Sequence, residues 1–113
     1  MSAITTHVLD TSSGRPAAGI DVRLEIDEGG SWRPIGRGTT DGDGRLRTLM
    51  PADSPLQPGV HRLVFETAAY FQNVHQRAFY PRVSVEFVVS SGESHYHVPL
   101  LLSPFGYTTY RGT

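Results

Sequence analysis

The chain has 113 residues, 38% hydrophobic and 19% charged, with Gly 12 and Pro 8, which is the size and balance of one folded, turn-rich domain. Cysteine and lysine are both absent and the formal net charge is −1. That excludes disulfides, thiol nucleophiles, Schiff bases and a P-loop lysine, and it argues against nucleic acid as the main partner. Imidazole, guanidinium and hydroxyl groups remain to carry any chemistry.

The elements follow a period of two. Thr5, His7 and Leu9 share one face of a first predicted strand, and the turn residues Ser13-Gly14-Arg15-Pro16 end it. Ile20, Val22, Leu24 and Ile26 alternate with Asp21, Arg23, Glu25 and Asp27 in a half-buried strand, closed by Glu28-Gly29-Gly30. A strand from Ser31 to Thr39 is weakened by Pro34. The turn Asp41-Gly42-Asp43-Gly44 then delivers Arg45 to the start of another. His61–Glu66 forms a shorter strand, and 67–76 is the one stretch that reads as helical, with Thr67 as its expected cap. Val83, Val85, Phe87 and Val89 repeat the alternation, and Ser91-Gly92 turns the chain. Two last strands, His95–Ser103 and Gly106–Arg111, are separated by turn residues at Pro104 and Gly106. Seven or eight short strands in a single domain, residues 1–113, predict an all-β, two-sheet antiparallel sandwich with one short helix. No run approaches the roughly 18 apolar residues of a membrane span. Met1 to His7 does not read as a secretory leader, so the expected location is cytoplasmic.

Three features could carry chemistry. In His95-Tyr96-His97 both imidazoles project from one strand face. With His7 from another strand they could form a His₃ zinc site, or act without metal as general base and acid. They read equally as half-exposed sheet histidines. The turn around Asp41 and Asp43 resembles part of a calcium loop, but one register puts Arg45 at position 5 and the other puts Met50 at position 12, where a bidentate Glu belongs. It is therefore read as a tight turn presenting Arg45, whose planar fork suits a carbonyl or carboxylate. The tail from Pro104 to Thr113, with Tyr107 and Tyr110, is either an edge strand with aromatic pairs or a segment closing over a pocket.

These segments together resemble the transthyretin-like 5-hydroxyisourate hydrolases of purine breakdown. The carrying residues are Thr6-His7-Val8-Leu9-Asp10-Thr11 with Gly14-Arg15-Pro16-Ala17, Thr40-Asp41 through Gly44-Arg45, Tyr70-Phe71, and Phe79-Tyr80-Pro81 before Val85-Glu86-Phe87. Most specific are the run from His95 through Ser103-Pro104 and the ending Tyr110-Arg111-Gly112-Thr113. The resemblance implies a homotetramer, a dimer of dimers, with its sites in the channel between dimers. It implies hydrolysis of 5-hydroxyisourate to 2-oxo-4-hydroxy-4-carboxy-5-ureidoimidazoline with no cofactor and no metal. It assigns catalysis to His7, Arg45 and His97, and substrate binding to His7, Arg45, Tyr110 and Thr113. The family tail usually ends in serine; Thr113 keeps the hydroxyl and adds a methyl. Arg82 stands where an acidic residue is common, and surface tolerance is expected there. The vertebrate thyroid-hormone carrier shares the family fold but lacks this histidine set and tail. A carrier of a planar aromatic ligand and a zinc hydrolase built on His7, His95 and His97 are the alternatives.

Overall fold

A computed structural model describes residues 2–113. The strands are β1 (Ile4–Asp10), β2 (Arg15–Pro16), β3 (Asp21–Asp27), β4 (Trp32–Thr39), β5 (Arg45–Leu46) and β6 (Gly59–Phe65), then β7 (Val83–Val89), β8 (Tyr96–Ser103) and β9 (Gly106–Thr109). One sheet runs β2-β1-β8-β9 with β5 also paired to β1, and the other runs β4-β3-β6-β7. The alternating apolar residues meet between them: Ile4 and Val8 of β1 and Val98, Leu100 and Leu102 of β8 pack with Val22, Leu24, Leu63, Phe65, Val83 and Val85 from the other sheet.

The expected sandwich of two sheets is present, and one pairing departs from the antiparallel expectation. β1 and β8 run parallel, Thr5 beside His97 and His7 beside Pro99. Such a pair needs a long crossover, and here the crossover is nearly the whole chain. Pro34 acts as the alternation suggested: between Leu24 and Glu25 the β3–β4 register shifts, so that Glu25 faces Pro34 while Leu24 faces Gly36. A residue without an N–H is confined to an edge strand or bulge, and β4 is an edge.

The helix, α1 (Thr67–Asn73), is shorter than the expected 67–76. His75, in the left-handed region at φ 59, ends it. The Gln76 N–H then reaches the Phe71 carbonyl at 2.8 Å and the His75 N–H reaches that of Gln72 at 3.1 Å, a Schellman closure. Thr67 is not the cap. Glu66 holds that position without a side-chain hydrogen bond, and Thr67 is buried with its hydroxyl unpartnered. The helix is instead pinned to β1 by the Tyr70 hydroxyl, which donates to buried Asp10 at 2.8 Å. Burial and that carboxylate push the Tyr70 pKa up to about 12.

Candidate active site

The site lies on the outer face of the first sheet, where alternation and register bring four separate segments side by side. β1 is central and carries Thr5 and His7 on this face. On one flank β5 sets Arg45 opposite His7, with Arg47 two residues on. On the other flank β8 sets His97 beside Thr5. Beyond β8 the tail returns, bridging Gly112 to His97.

Two glycines make these approaches possible. Gly44, at φ +75, takes the left-handed step that ends the Asp41 turn, and a Cβ there would stand 2.4 Å from the Val8 carbonyl oxygen. Its own carbonyl accepts from the Val8 N–H at 2.8 Å, which seats Arg45 against β1. The Asp41 carboxylate closes the turn by accepting the N–H groups of Asp43 at 2.9 Å and Arg45 at 3.0 Å. These bonds, that from Arg45 first, hold its pKa below the usual value. Asp41 therefore serves the turn, as expected. Gly112 lets the tail lie against the His97 ring, where a Cβ would come within 2.7 Å of Cδ2.

Thr5, Thr6, Arg45, Arg47, His95, His97 and Thr113 line a cavity of about 180 Å³. His97 is half-buried, and its Nδ1 contacts the Thr5 hydroxyl at 2.8 Å. Burial above all, then Arg45, His7 and His95, hold its pKa below the ordinary histidine value, so the imidazole is neutral near pH 7. His7 is not among the lining residues, although it bears on the charging of His97. Its Nε2 donates to the Asp43 carbonyl at 2.9 Å, and since a carbonyl only accepts, the lone pair of neutral His7 is on Nδ1.

Not every expected site residue converges. Tyr110 is 55% exposed and outside this lining. Leu100 opposite Thr109 and His97 opposite Gly112 belong to one register, which sets Tyr110 beside Pro99, further along the strand. The zinc reading is corrected too, since no three His, Cys, Asp or Glu side chains among the described residues are grouped to hold a metal ion. His7 is also two residues out of register with His97.

The sequence pattern of the HIUase/Transthyretin family matches residues 4–112. The chain belongs to that family. The 5-hydroxyisourate hydrolase of Salmonella typhi is 43% identical over 110 residues, spanning 97% of this chain and 80% of that protein. Klebsiella pneumoniae 5-hydroxyisourate hydrolase superposes with a TM-score of 0.85 at 35% identity, over 99% of this chain and 100% of that one. Sea bream transthyretin in complex with thyroxine superposes with a TM-score of 0.90 at 32% identity, over 98% and 95%. Backbone shape therefore does not separate hydrolase from thyroxine-bound transthyretin within this HIUase/Transthyretin fold. Side chains on the outer face have to.

Three lining residues had not been singled out as site residues: Arg47, Thr5 and Thr6, the last with its hydroxyl donated to the Val98 carbonyl at 2.6 Å. Arg47 was legible as the second residue on from Arg45, hence on the same strand face, and it takes part in no ion pair among the described residues. Thr5 was legible as sharing a face with His7, but its contact with His97 depends on the parallel register. Arg82, as expected, is on the surface, 3.5 Å from Glu66.

Proposed function

We propose that the protein hydrolyses 5-hydroxyisourate in urate degradation. The observation that carries this reading is the cavity in which a neutral imidazole, His97, meets the guanidinium of Arg45 and the side chain of Thr113. His97 takes a proton from water, whose oxygen bonds to a ring carbonyl carbon. Arg45 grips the oxygens of the heterocycle and stabilises the oxyanion. The ring C–N bond breaks as the proton taken by His97 passes through the bare Nδ1 of His7 to the leaving nitrogen, and the new carboxylic acid ionises. Thr113 orients water or substrate through its hydroxyl. No cofactor enters the scheme.

The homotetramer belongs to the same proposal. The two sheets end in β7 and β9, whose outer edges are unpaired in the single chain, and residues of both strands line one shared concavity. Open edges side by side are templates for pairing with another copy. Exposed Phe79, Val88 and Phe105 are further surface for such a copy to cover. Tyr110, outside the cavity of one chain, contacts substrate only in that assembly. Among the described residues no helix is long and apolar enough to cross a membrane, and a chain without cysteine suits the cytoplasm.

The test is decay of 5-hydroxyisourate absorbance after fresh oxidation of urate. Wild-type protein accelerates it, and His97→Ala abolishes most of the gain. Arg45→Lys, which keeps charge but loses the fork, lowers turnover by about 10²–10³-fold. Wild-type rates equal to buffer, with saturable binding of a planar aromatic ligand, would make the protein a carrier instead.

A further inference from the structure

One buried hydroxyl touches two imidazoles. Oγ1 of Thr5 lies 2.8 Å from Nδ1 of His97 and 3.4 Å from Nε2 of His95, and the residue is 3% exposed. The parallel register puts it there, because Thr5 stands directly beside His97.

A hydroxyl has one hydrogen to give and lone pairs to accept with, and a neutral imidazole has one N–H and one bare nitrogen. Two complete chains are therefore available, running in opposite directions. In one, Nε2–H of His95 donates to Thr5, and the Thr5 hydroxyl donates to Nδ1 of His97. His97 then carries its own hydrogen on Nε2 and cannot act as a base there. In the other, Nδ1–H of His97 donates to Thr5, and Thr5 donates to Nε2 of His95. The Nε2 of His97 is then bare and basic. With both nitrogens bare, one of them faces a lone pair of the hydroxyl oxygen; with hydrogen on both, the oxygen accepts twice and its own buried hydrogen loses its acceptor.

We propose that Thr5 is a positioning residue that couples the tautomers of His95 and His97, so that His97 presents a basic Nε2 only while the chain runs from His97 to His95. The inference rests on the reading of His97 as the base of the proposed hydrolase. It gives His95 a role that does not require touching substrate. When Nε2 of His97 takes a proton from water, Nδ1–H keeps its acceptor in Thr5, and the Thr5 hydroxyl keeps its acceptor in His95. The imidazolium thus forms without any hydrogen bond being remade. The other groups around His97 are His7 from β1, Arg45 from β5, Arg47 just past that strand, and Gly112 and Thr113 from the tail. Of these, Arg45 and His7 oppose its charging, as do His95 and, above all, its burial.

Long-range proton–nitrogen NMR correlations of the intact protein read each tautomer directly, without substrate. In wild type and Thr5→Ser, which keeps the hydroxyl, His97 is held with hydrogen on Nδ1 and His95 with hydrogen on Nδ1. In Thr5→Val both residues lose that single form, and kcat falls roughly 10–100-fold, the usual cost of losing such a partner, with KM little changed. His95→Gln, which does not alter Thr5, also shifts the His97 tautomer and serves should Thr5→Val fail to fold. Unchanged His97 spectra in Thr5→Val or His95→Gln would overturn the coupling, as would equal kcat for Thr5→Val and Thr5→Ser. A wild-type protein inert toward 5-hydroxyisourate would sink the hydrolase reading and leave the spectra to decide the coupling.

Discussion

Gly112→Ala is the substitution that most sharply separates the site from the fold. The added methyl would stand 2.7 Å from Cδ2 of His97 and 3.1 Å from Cγ of Pro99. Ordinary carbon contacts lie at about 3.5–4.0 Å, so the ring or the tail must give way by roughly 1 Å. The backbone itself accepts alanine, since Gly112 is not among the residues at positive φ. The strain therefore falls on the contact between His97 and the tail. A displacement of about 1 Å at a reacting group costs on the order of 10²-fold in rate. The global fold loses far less, because the tail is held at this point by the Gly112 N–H donating to the His97 carbonyl at 2.8 Å. One such bond contributes about 1 kcal/mol, which is a shift of a few degrees in Tm, on the order of 4–8 °C at most. The assay is kcat and KM on freshly generated 5-hydroxyisourate, beside thermal unfolding of the same preparation. Wild-type kcat in Gly112→Ala would refute the reasoning. So would a large drop in Tm with kcat intact, which would put Gly112 in the fold's support and outside the site.

Other outcomes follow from buried or strained groups. Thr67→Val removes a buried hydroxyl without a partner and keeps its shape; urea unfolding should show a gain of about 1 kcal/mol, and a loss would mean that the hydroxyl is bonded. His75→Gly relieves a left-handed residue at φ 59, and the same measurement should show a gain of up to about 1 kcal/mol after glycine's own entropy cost. His61 is fully buried with Nε2 unpaired, and burial, against a smaller pull from the Gly59 carbonyl, holds its pKa below the usual value. The unfolded chain therefore binds the proton first. Stability should hold above the unfolded pKa of about 6.5 and fall below it, by at most about 1.4 kcal/mol per pH unit for this group. In His61→Leu that slope flattens between pH 7 and 5; an unchanged slope would assign the acid sensitivity to other groups.

The parts of the fold that were legible are those with enough residues to show a period. Ile20 to Ile26 and Val83 to Val89 alternate over a full strand, and both lie where the alternation put them. β2 and β5 are two residues each and have no period to read; the turn residues at Gly14 and Gly44 betrayed their neighbourhood instead. The parallel partnership of β1 with β8 was invisible, because a strand's own pattern says which face is buried and nothing about its neighbour's direction. For the same reason His7, Arg45 and His97 could be named as residue types suited to the chemistry, while the contact of Thr5 with His97 required the register. The Thr67 cap failed through competition: a threonine side chain can bond the helix end or enter the core, and at this helix start the core took it.

The β1–β8 pairing also sets when the site can exist. Thr6 and Val98, joined through the Thr6 hydroxyl, are 92 positions apart, so this ladder closes one of the longest loops the chain can make. Closing it carries an entropic cost that local hairpins such as β3–β4 and β6–β7 do not share to the same degree. On the ribosome, the sheet β4-β3-β6-β7 can assemble as soon as β7 emerges, while β1 waits for a partner not yet synthesised. Its inner, apolar residues Ile4 and Val8 stay uncovered during that interval. Activity should therefore be the last property the nascent chain acquires, and the first strand made is the one most in need of protection until the eighth arrives.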